Sequence, residues 1–334
     1  MKNLLNSRDL EILLSKVSFD WLKNKRILIT GASGMLGSYL TESIVRGCEV
    51  TGVRYKEIVA SSKSGNFTNI AHLAKKNRLR FINHETSYEN LDGYEVIIHA
   101  ASPSNPTKFR TMHELSSSNL AFVESSNFDS LENFCFFSTG EIYGLNPDPS
   151  TWTAIEAKMD IRELYPRAKL LTEIEISSKF SARDVKISIP RIFHTFGPGL
   201  RENDGRSFGD FIYSVSKNKP PSLYSSGNQL RTFLYSLDFA IAILQSMDLR
   251  NLGTFDLGSG DLVSIREFAI KVSNAGGLEG KIDEVASEPP GFVHSNNFRL
   301  SPDTTYLQEQ GWRETSSIDL AIRQTLDWIS KKDT

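Results

Sequence analysis

The chain alternates short apolar runs with longer stretches in which apolar positions recur every three or four residues. Residues 26–30 (Arg-Ile-Leu-Ile-Thr) read as an apolar strand that runs into a glycine turn. Residues 35–45 then carry the helical period. Further strands are predicted at 49–53, 79–82, 96–100, 134–138 and 185–189. Near-continuous apolar strands separated by helices imply a parallel sheet covered on both faces. The expected fold class is α/β, a doubly wound parallel sheet with right-handed crossovers.

After Pro190 the rhythm changes. Glycine and proline gather at Gly197, Pro198, Gly199, Gly205, Gly209, Pro220 and Pro221, as in loops that carry sites. Helical patterns come next at 237–247, 265–275 and 318–330, with a short strand at 253–257. Near the start, Leu10, Leu13, Leu14 and Val17 recur at helical spacing, so residues 1–24 are expected to be a helical extension packed on the body.

Composition narrows the class. The 334 residues suggest two units of ordinary domain size. Lys+Arg is 38 and Asp+Glu 40, a net charge of −2, so neither a nucleic-acid footprint nor an acidic tail is present. With 39% hydrophobic and 23% charged residues the chain reads as soluble and globular. Cys48 and Cys135 are too few for a disulfide framework or a cysteine-rich metal site, so no metal is expected and a cytoplasmic setting is. The sequence has neither an apolar stretch of membrane-spanning length nor the apolar core of a signal peptide, so no membrane partner is expected.

The first strand enters Gly31-Ala32-Ser33-Gly34-Met35-Leu36-Gly37. A G-x-x-G-x-x-G loop between strand and helix is suited to a dinucleotide diphosphate. The first glycine makes the tight turn, the second admits the ligand to the backbone, and the third lets helix and strand approach. The helix N-terminus offers free N–H groups to the diphosphate. The expected architecture is therefore a Rossmann-type sheet with a smaller C-terminal substrate-binding lobe. In this division, residues 25–190 and about 233–260 bind the dinucleotide. Residues from about 191–232 and 261–334 form the lobe. If the second strand is 49–53, Arg54 stands where NAD-binding chains carry an acidic residue for the adenosine ribose. That leaves NAD expected and NADP open.

Ser138-Thr139 closes another strand, and Tyr165 and Lys169 come later, four residues apart, on one helical face. A lysine ammonium beside a phenol favours the phenolate, which can take a proton from a sugar hydroxyl. Thr139 would share the hydrogen bond.

Together these motifs resemble the extended short-chain dehydrogenase/reductase family of nucleotide-sugar enzymes, across about residues 25–331. The branch most similar is UDP-glucuronate decarboxylase. The similarity rests on Ala101-Ser102-Pro103-Ser104-Asn105-Pro106, Asn119, Thr139-Gly140-Glu141, Arg162, residues 191–198, Asn203-Asp204-Gly205-Arg206, residues 229–233 and Gly311-Trp312. The resemblance implies that Ala100, Ala101, Ser102, Asn119, Tyr165 and Lys169 meet the cofactor, beside Gly31, Ser33, Gly34, Met35, Leu36 and Gly37. It implies Thr139, Glu141, Tyr165 and Lys169 as catalytic residues. Pro103, Arg162, His194, Arg206, Arg231 and Arg299 would bind the nucleotide-diphosphate sugar. A homodimer is also implied. The chain departs from the branch at Phe109, Pro166, His194 and Gly199.

The family oxidises sugar C4, and its branches differ in the step after that oxidation. Gly140 stands where 4,6-dehydratases carry an acid, and glycine cannot donate a proton. Decarboxylation needs no such acid, because a β-keto acid loses CO2 once C4 is oxidised. Glu141 then matches a residue that orients the sugar or a water. A 4-epimerase needs only the Thr, Tyr and Lys, and a 4-keto reductase needs exchangeable cofactor. A nucleotide-binding scaffold without turnover is the reading from a different class.

Overall fold

A computed structural model describes residues 3–83, 91–102, 119, 122–124, 128–144, 161–202, 205–249, 252–286 and 301–331. Ile27, Ile29, Ile58, Ala60 and Ile98 bury on one face of the sheet, and Leu28, Val59, Ile97 and Phe134 on the other. This is why the strands read as unbroken apolar runs rather than as alternation. The strands are β1 (Arg26–Thr30), β2 (Glu57–Ser62), β3 (Leu79–Asn83), β4 (Val96–His99), β5 (Asn133–Phe136), β6 (Ser138–Thr139), β7 (Lys186–Ile192) and β8 (Gly253–Leu257). All pair in parallel in the order β8-β7-β5-β4-β1-β2-β3, with β6 beside β7.

From β1 the chain builds outward to β3, then returns to β4 and builds the other way. The order reverses between β1 and β4, where Thr30 is paired with His99. That reversal opens a crevice at the carboxyl ends of the two strands, and ligands bind there in open α/β sheets.

The helices α1 (Ser7–Lys16), α2 (Met35–Thr51) and α3 (Ile161–Phe180) accompany the sheet. Ile176 and Phe180 of α3 join the cluster around Leu28 and Phe134. The helix Ser236–Asp248 buries residues 236–244 together with 246 and 247, which leaves it almost no polar face. The helices Ser207–Ser216, Ile265–Ala275 and Ile318–Ser330 pack on one another beyond the sheet. None of the described helices is long and apolar enough to cross a membrane.

One predicted strand is corrected. Residues 49–53 are not a strand: α2 continues to Thr51 and stops at Gly52, whose φ of 74° supplies the left-handed cap. The β-branched residues Val50, Thr51 and Val53 suggested a strand, but Val45 and Cys48 bury on the helical period. The second strand comes later, at Glu57–Ser62.

The amino-terminal segment is fixed by buried carboxylates. Asn6 caps α1 by accepting from the Asp9 amide at 2.8 Å. Asp9 in turn accepts from the Tyr235 hydroxyl at 2.7 Å. Glu42 on α2 accepts from the Leu4 and Leu5 amides at 2.9 and 3.2 Å.

Candidate active site

Each glycine of the loop after β1 has a steric reason. Gly31 has φ 65°, and a Cβ there would lie 2.6 Å from the carbonyl carbon of Ala100. A Cβ on Gly37 would lie 2.3 Å from the Gly31 carbonyl oxygen. Gly34 is the N-cap of α2, so the first amides of a 17-residue helix face the loop. Ser33 is buried here, and Met35 and Leu36 open the helix.

Across the crevice, β4 ends beside the loop. The Ala101 amide donates to Thr30 Oγ1 at 3.1 Å, and Thr30 Oγ1 lies 2.9 Å from His99 Nδ1. The Ser102 hydroxyl and both polar atoms of Asn119 are buried without a hydrogen-bond partner among the described residues. Such groups are costly unless something pairs with them. A backbone cradle that only glycine fits, together with orphaned donors and acceptors, suits a dinucleotide. Gly31, Ser33, Gly34, Met35, Leu36 and Gly37 form the loop side of this cradle, and Ala100, Ala101, Ser102 and Asn119 are the other residues that the sequence assigned to it.

Arg54 is not part of this crevice. It precedes β2, and its carbonyl accepts from the Asn24 amide at 2.9 Å. The six residues of β2 separate it from the cofactor edge of the sheet by about 16 Å. At that edge stand Ser62 and Ser64 instead, with Ser62 Oγ 2.5 Å from Ser33 Oγ.

Thr139, Tyr165 and Lys169 come together where β6 meets α3. Tyr165 and Thr139 are joined by a side-chain hydrogen bond, and Thr139 Oγ1 accepts from the Glu141 amide at 3.3 Å. Lys169 Nζ donates to the Phe137 carbonyl at 2.6 Å and lies 5.8 Å from the Tyr165 ring centroid. The expected lowering of the phenol by Lys169 is not what this geometry gives. Burial pushes the Tyr165 hydroxyl up, and the Glu141 charge adds to it; Arg206 and the Thr139 bond oppose. Burial pulls Lys169 down to about 7, against the Glu173 carboxylate that holds it up. Pro166 is inside α3, next to Tyr165, without ending the helix.

The same cleft gathers the charges that the sequence placed far apart. Burial raises the Glu141 carboxyl, and Arg206 and Arg231 counter it. His194 is held down at about 3 by burial first and then by Arg231 and Arg206, so it is a neutral imidazole at physiological pH. Its ring packs on Phe208 and Phe233 at 5.8 and 5.7 Å. Arg231 is buried, with Nη1 donating to the Leu230 carbonyl at 2.7 Å. Pro103, Arg299 and the side chain of Arg162 lie outside the described residues.

Two features were missed in the sequence. Glu173 lies one turn beyond Lys169 and is gripped by Arg191, with Nε–Oε1 at 3.2 Å and Nη2–Oε2 at 2.8 Å. The four-residue spacing from Lys169 was the available signal; the partner from β7 had none. The second is the Phe193 ring against Gly140, a position the sequence showed only as lacking an acid. A Cβ there would lie 2.4 Å from the Phe193 ring, so any side chain at this position must displace an aromatic.

The comparisons agree with this geometry. The model of the NAD dependent epimerase/dehydratase family matches residues 27–258. UDP-glucuronic acid decarboxylase 1 of Xenopus tropicalis is 26% identical over 318 residues, covering 92% of this chain and 73% of the relative. UDP-glucuronic acid decarboxylase 4 of Arabidopsis thaliana is 25% identical, covering 93% and 69%. Among solved structures, UDP-glucose 4-epimerase from Thermotoga maritima gives a TM-score of 0.74 at 20% identity, covering 92% of this chain and all of that one (100%). UDP-glucuronic acid 4-epimerase from Bacillus cereus, in complex with UDP-glucuronic acid and NAD, gives 0.73 at 20% identity, covering 92% and 99%. The structural likenesses speak for the fold, and the match over residues 27–258 speaks for more: this chain belongs to the NAD dependent epimerase/dehydratase family.

Proposed function

We propose that the chain is a nucleotide-sugar enzyme that oxidises C4 and decarboxylates, converting UDP-glucuronate to UDP-xylose and CO2. The observation that carries this is Gly140 against Phe193. The position at which a dehydratase acid would stand is filled by an aromatic ring, while Glu141 beside it keeps its carboxyl in the cleft with Tyr165. The curated relatives named UDP-glucuronic acid decarboxylase support the same choice.

In this reading the glycine loop and the residues of 100–102 and 119 hold NAD, and Lys169 holds its nicotinamide ribose. When bound, NAD supplies the hydride acceptor for C4. Tyr165 takes the proton of the C4 hydroxyl, with Thr139 sharing the hydrogen bond. The C4 ketone makes the C6 carboxylate a β-keto acid. The C5–C6 bond breaks, CO2 leaves, and its electron pair becomes a C5 enolate. Glu141, whose carboxyl is raised by burial, gives a proton to C5. The C4 ketone then takes the hydride back and Tyr165 returns its proton to the C4 oxygen, which yields UDP-xylose with no net oxidation. Arg231 and Arg206 hold the substrate diphosphate, for which guanidinium forks are suited, and neutral His194 adds a hydrogen bond. Arg162, Pro103 and Arg299 complete the substrate set in this reading.

The domain division read from the sequence is part of the proposal, as are a cytoplasmic setting and a homodimer. Ile174 on α3 is 54% exposed, an apolar position on the helix by which such a dimer would pair.

The test is a panel of UDP-, dTDP-, GDP- and CDP-sugars with products read by mass. Loss of CO2 from UDP-glucuronate supports the proposal. Unchanged mass with inverted C4 would make the chain an epimerase, and loss of water a dehydratase. No turnover and no bound dinucleotide would leave a scaffold.

A further inference from the structure

The segment 197–202 runs between the two ligand sites and is tied down on both sides. Gly199 has φ 93°, and a Cβ there would lie 3.3 Å from Leu4 and from Asn69 Nδ2 and 3.4 Å from Ser38 Oγ. Glycine suits both the left-handed backbone and this close lie on the first turn of α2, which accounts for one departure of the chain from the decarboxylase branch. The Gly199 carbonyl accepts from Asn69 Nδ2 at 2.9 Å. On the lobe side, Leu200 is fully buried and its carbonyl accepts from the Tyr213 hydroxyl at 2.7 Å. Glu202 pairs with Lys217, just past the helix Ser207–Ser216. Arg201, between these anchors, reaches back to the cofactor side, where its Nη2 donates to the Ser33 carbonyl.

That carbonyl is one half of the Ser33–Gly34 peptide unit. The unit is planar, so its C=O and N–H point in opposite directions. The Gly34 amide donates to the Gly31 carbonyl at 2.9 Å, and the Arg201 guanidinium holds the other end. The peptide is therefore pinned from both sides at the N-cap of α2, where the amides suited to a dinucleotide diphosphate begin. The same segment leads, five positions on, to Arg206, whose charge acts on Glu141 and His194 in the sugar cleft. One short stretch of chain thus touches the cofactor loop at one end and the substrate cleft at the other.

We propose that Arg201 is a positioning residue that couples the two sites. It fastens the segment leading to Arg206 onto the glycine loop. A nucleotide diphosphate that orders this segment also firms the dinucleotide cradle, and a bound dinucleotide firms the segment in return. This coupling rests on the nucleotide-sugar reading above and adds to it a thermodynamic link between cofactor and substrate. Arg201 acts through the Ser33–Gly34 peptide rather than on the reacting atoms.

The coupling is measured by calorimetry on the full chain, stripped of bound dinucleotide, with NAD and UDP as the probes. Saturating NAD is expected to tighten UDP binding by about fivefold or more, and UDP to tighten NAD by the same factor, because linkage is reciprocal. In Arg201→Ala both factors should fall to about one. Arg201→Lys, which keeps the charge and a donor for the carbonyl, should retain part of the coupling. The position is exposed, so both variants should fold, and a thermal melt checks it. An arginine with a merely structural role would shift the melt and leave the ratio of affinities unchanged, and that result overturns the coupling. Independent binding of NAD and UDP in the parent chain overturns it too, while leaving the nucleotide-sugar reading standing. Binding of neither probe overturns that reading itself, and the coupling with it.

Discussion

Glu173 and Arg191 form a two-point ion pair at 2.8 and 3.2 Å, directly behind Lys169. Arg191 continues the chain of contacts to the Tyr143 hydroxyl at 2.9 Å, which donates to Asp256 at 2.7 Å. The carboxylate that holds the Lys169 ammonium up is itself held by strand β7. Glu173→Gln should therefore do two things. The folded chain should lose about 1–3 kcal/mol, because Arg191 keeps its burial and loses its charge partner. Lys169, already drawn down to about 7, should release its proton at still lower pH. If the charged ammonium is the active form, the basic limb of the kcat profile moves toward acid by about one unit or more. A lower kcat with an unmoved limb would reduce Glu173 to a packing role.

Gly140→Ala places a methyl group 2.4 Å from the Phe193 ring. Overpacking of this kind costs about 1–3 kcal/mol. In a Phe193→Ala background the same substitution should cost little, and denaturant melts of the four chains measure the coupling. Equal cost in both backgrounds would show that Phe193 is not what keeps position 140 a glycine.

How much of this was legible in the sequence depends on how far each partner is along the chain. The glycine loop could be read because its three glycines answer to one another and to the next strand. Thr139, Tyr165 and Lys169 could be read because one helical turn fixes the last two. Gly140 could be seen as the lack of an acid, but the ring that excludes a side chain is 53 residues later, at Phe193. Glu173 lay one turn past Lys169, yet Arg191, which makes it matter, comes from another strand. The misplacement of the second strand had a local cause. Val50, Thr51 and Val53 favour strand, and only the αL stop at Gly52 shows that the helix was still running. That slip carried Arg54 to the cofactor edge and hid Ser62 and Ser64.

His194 gives a pH signature. Its imidazole titrates near 3 in the fold and at 6.5 when unperturbed. Between those values the unfolded chain binds the extra proton, so stability falls as pH drops through the window. His194→Asn should flatten that fall, seen as a smaller loss of Tm between about pH 6.5 and pH 4 than in the parent. Parallel curves would mean that the ring is not held neutral.

Tyr165→Phe should keep the fold and dinucleotide binding while lowering turnover by about 10²–10⁴-fold, the usual worth of a placed base. Near-parental rates would remove Tyr165 from the role of base.

Decarboxylation itself is tested most directly by incubating the purified chain with UDP-glucuronate and measuring released CO2 together with the mass of the nucleotide sugar. One CO2 is expected for each UDP-pentose formed, with both lost in Tyr165→Phe. A product of unchanged mass, or no product while UDP-glucuronate binds, would contradict the assignment.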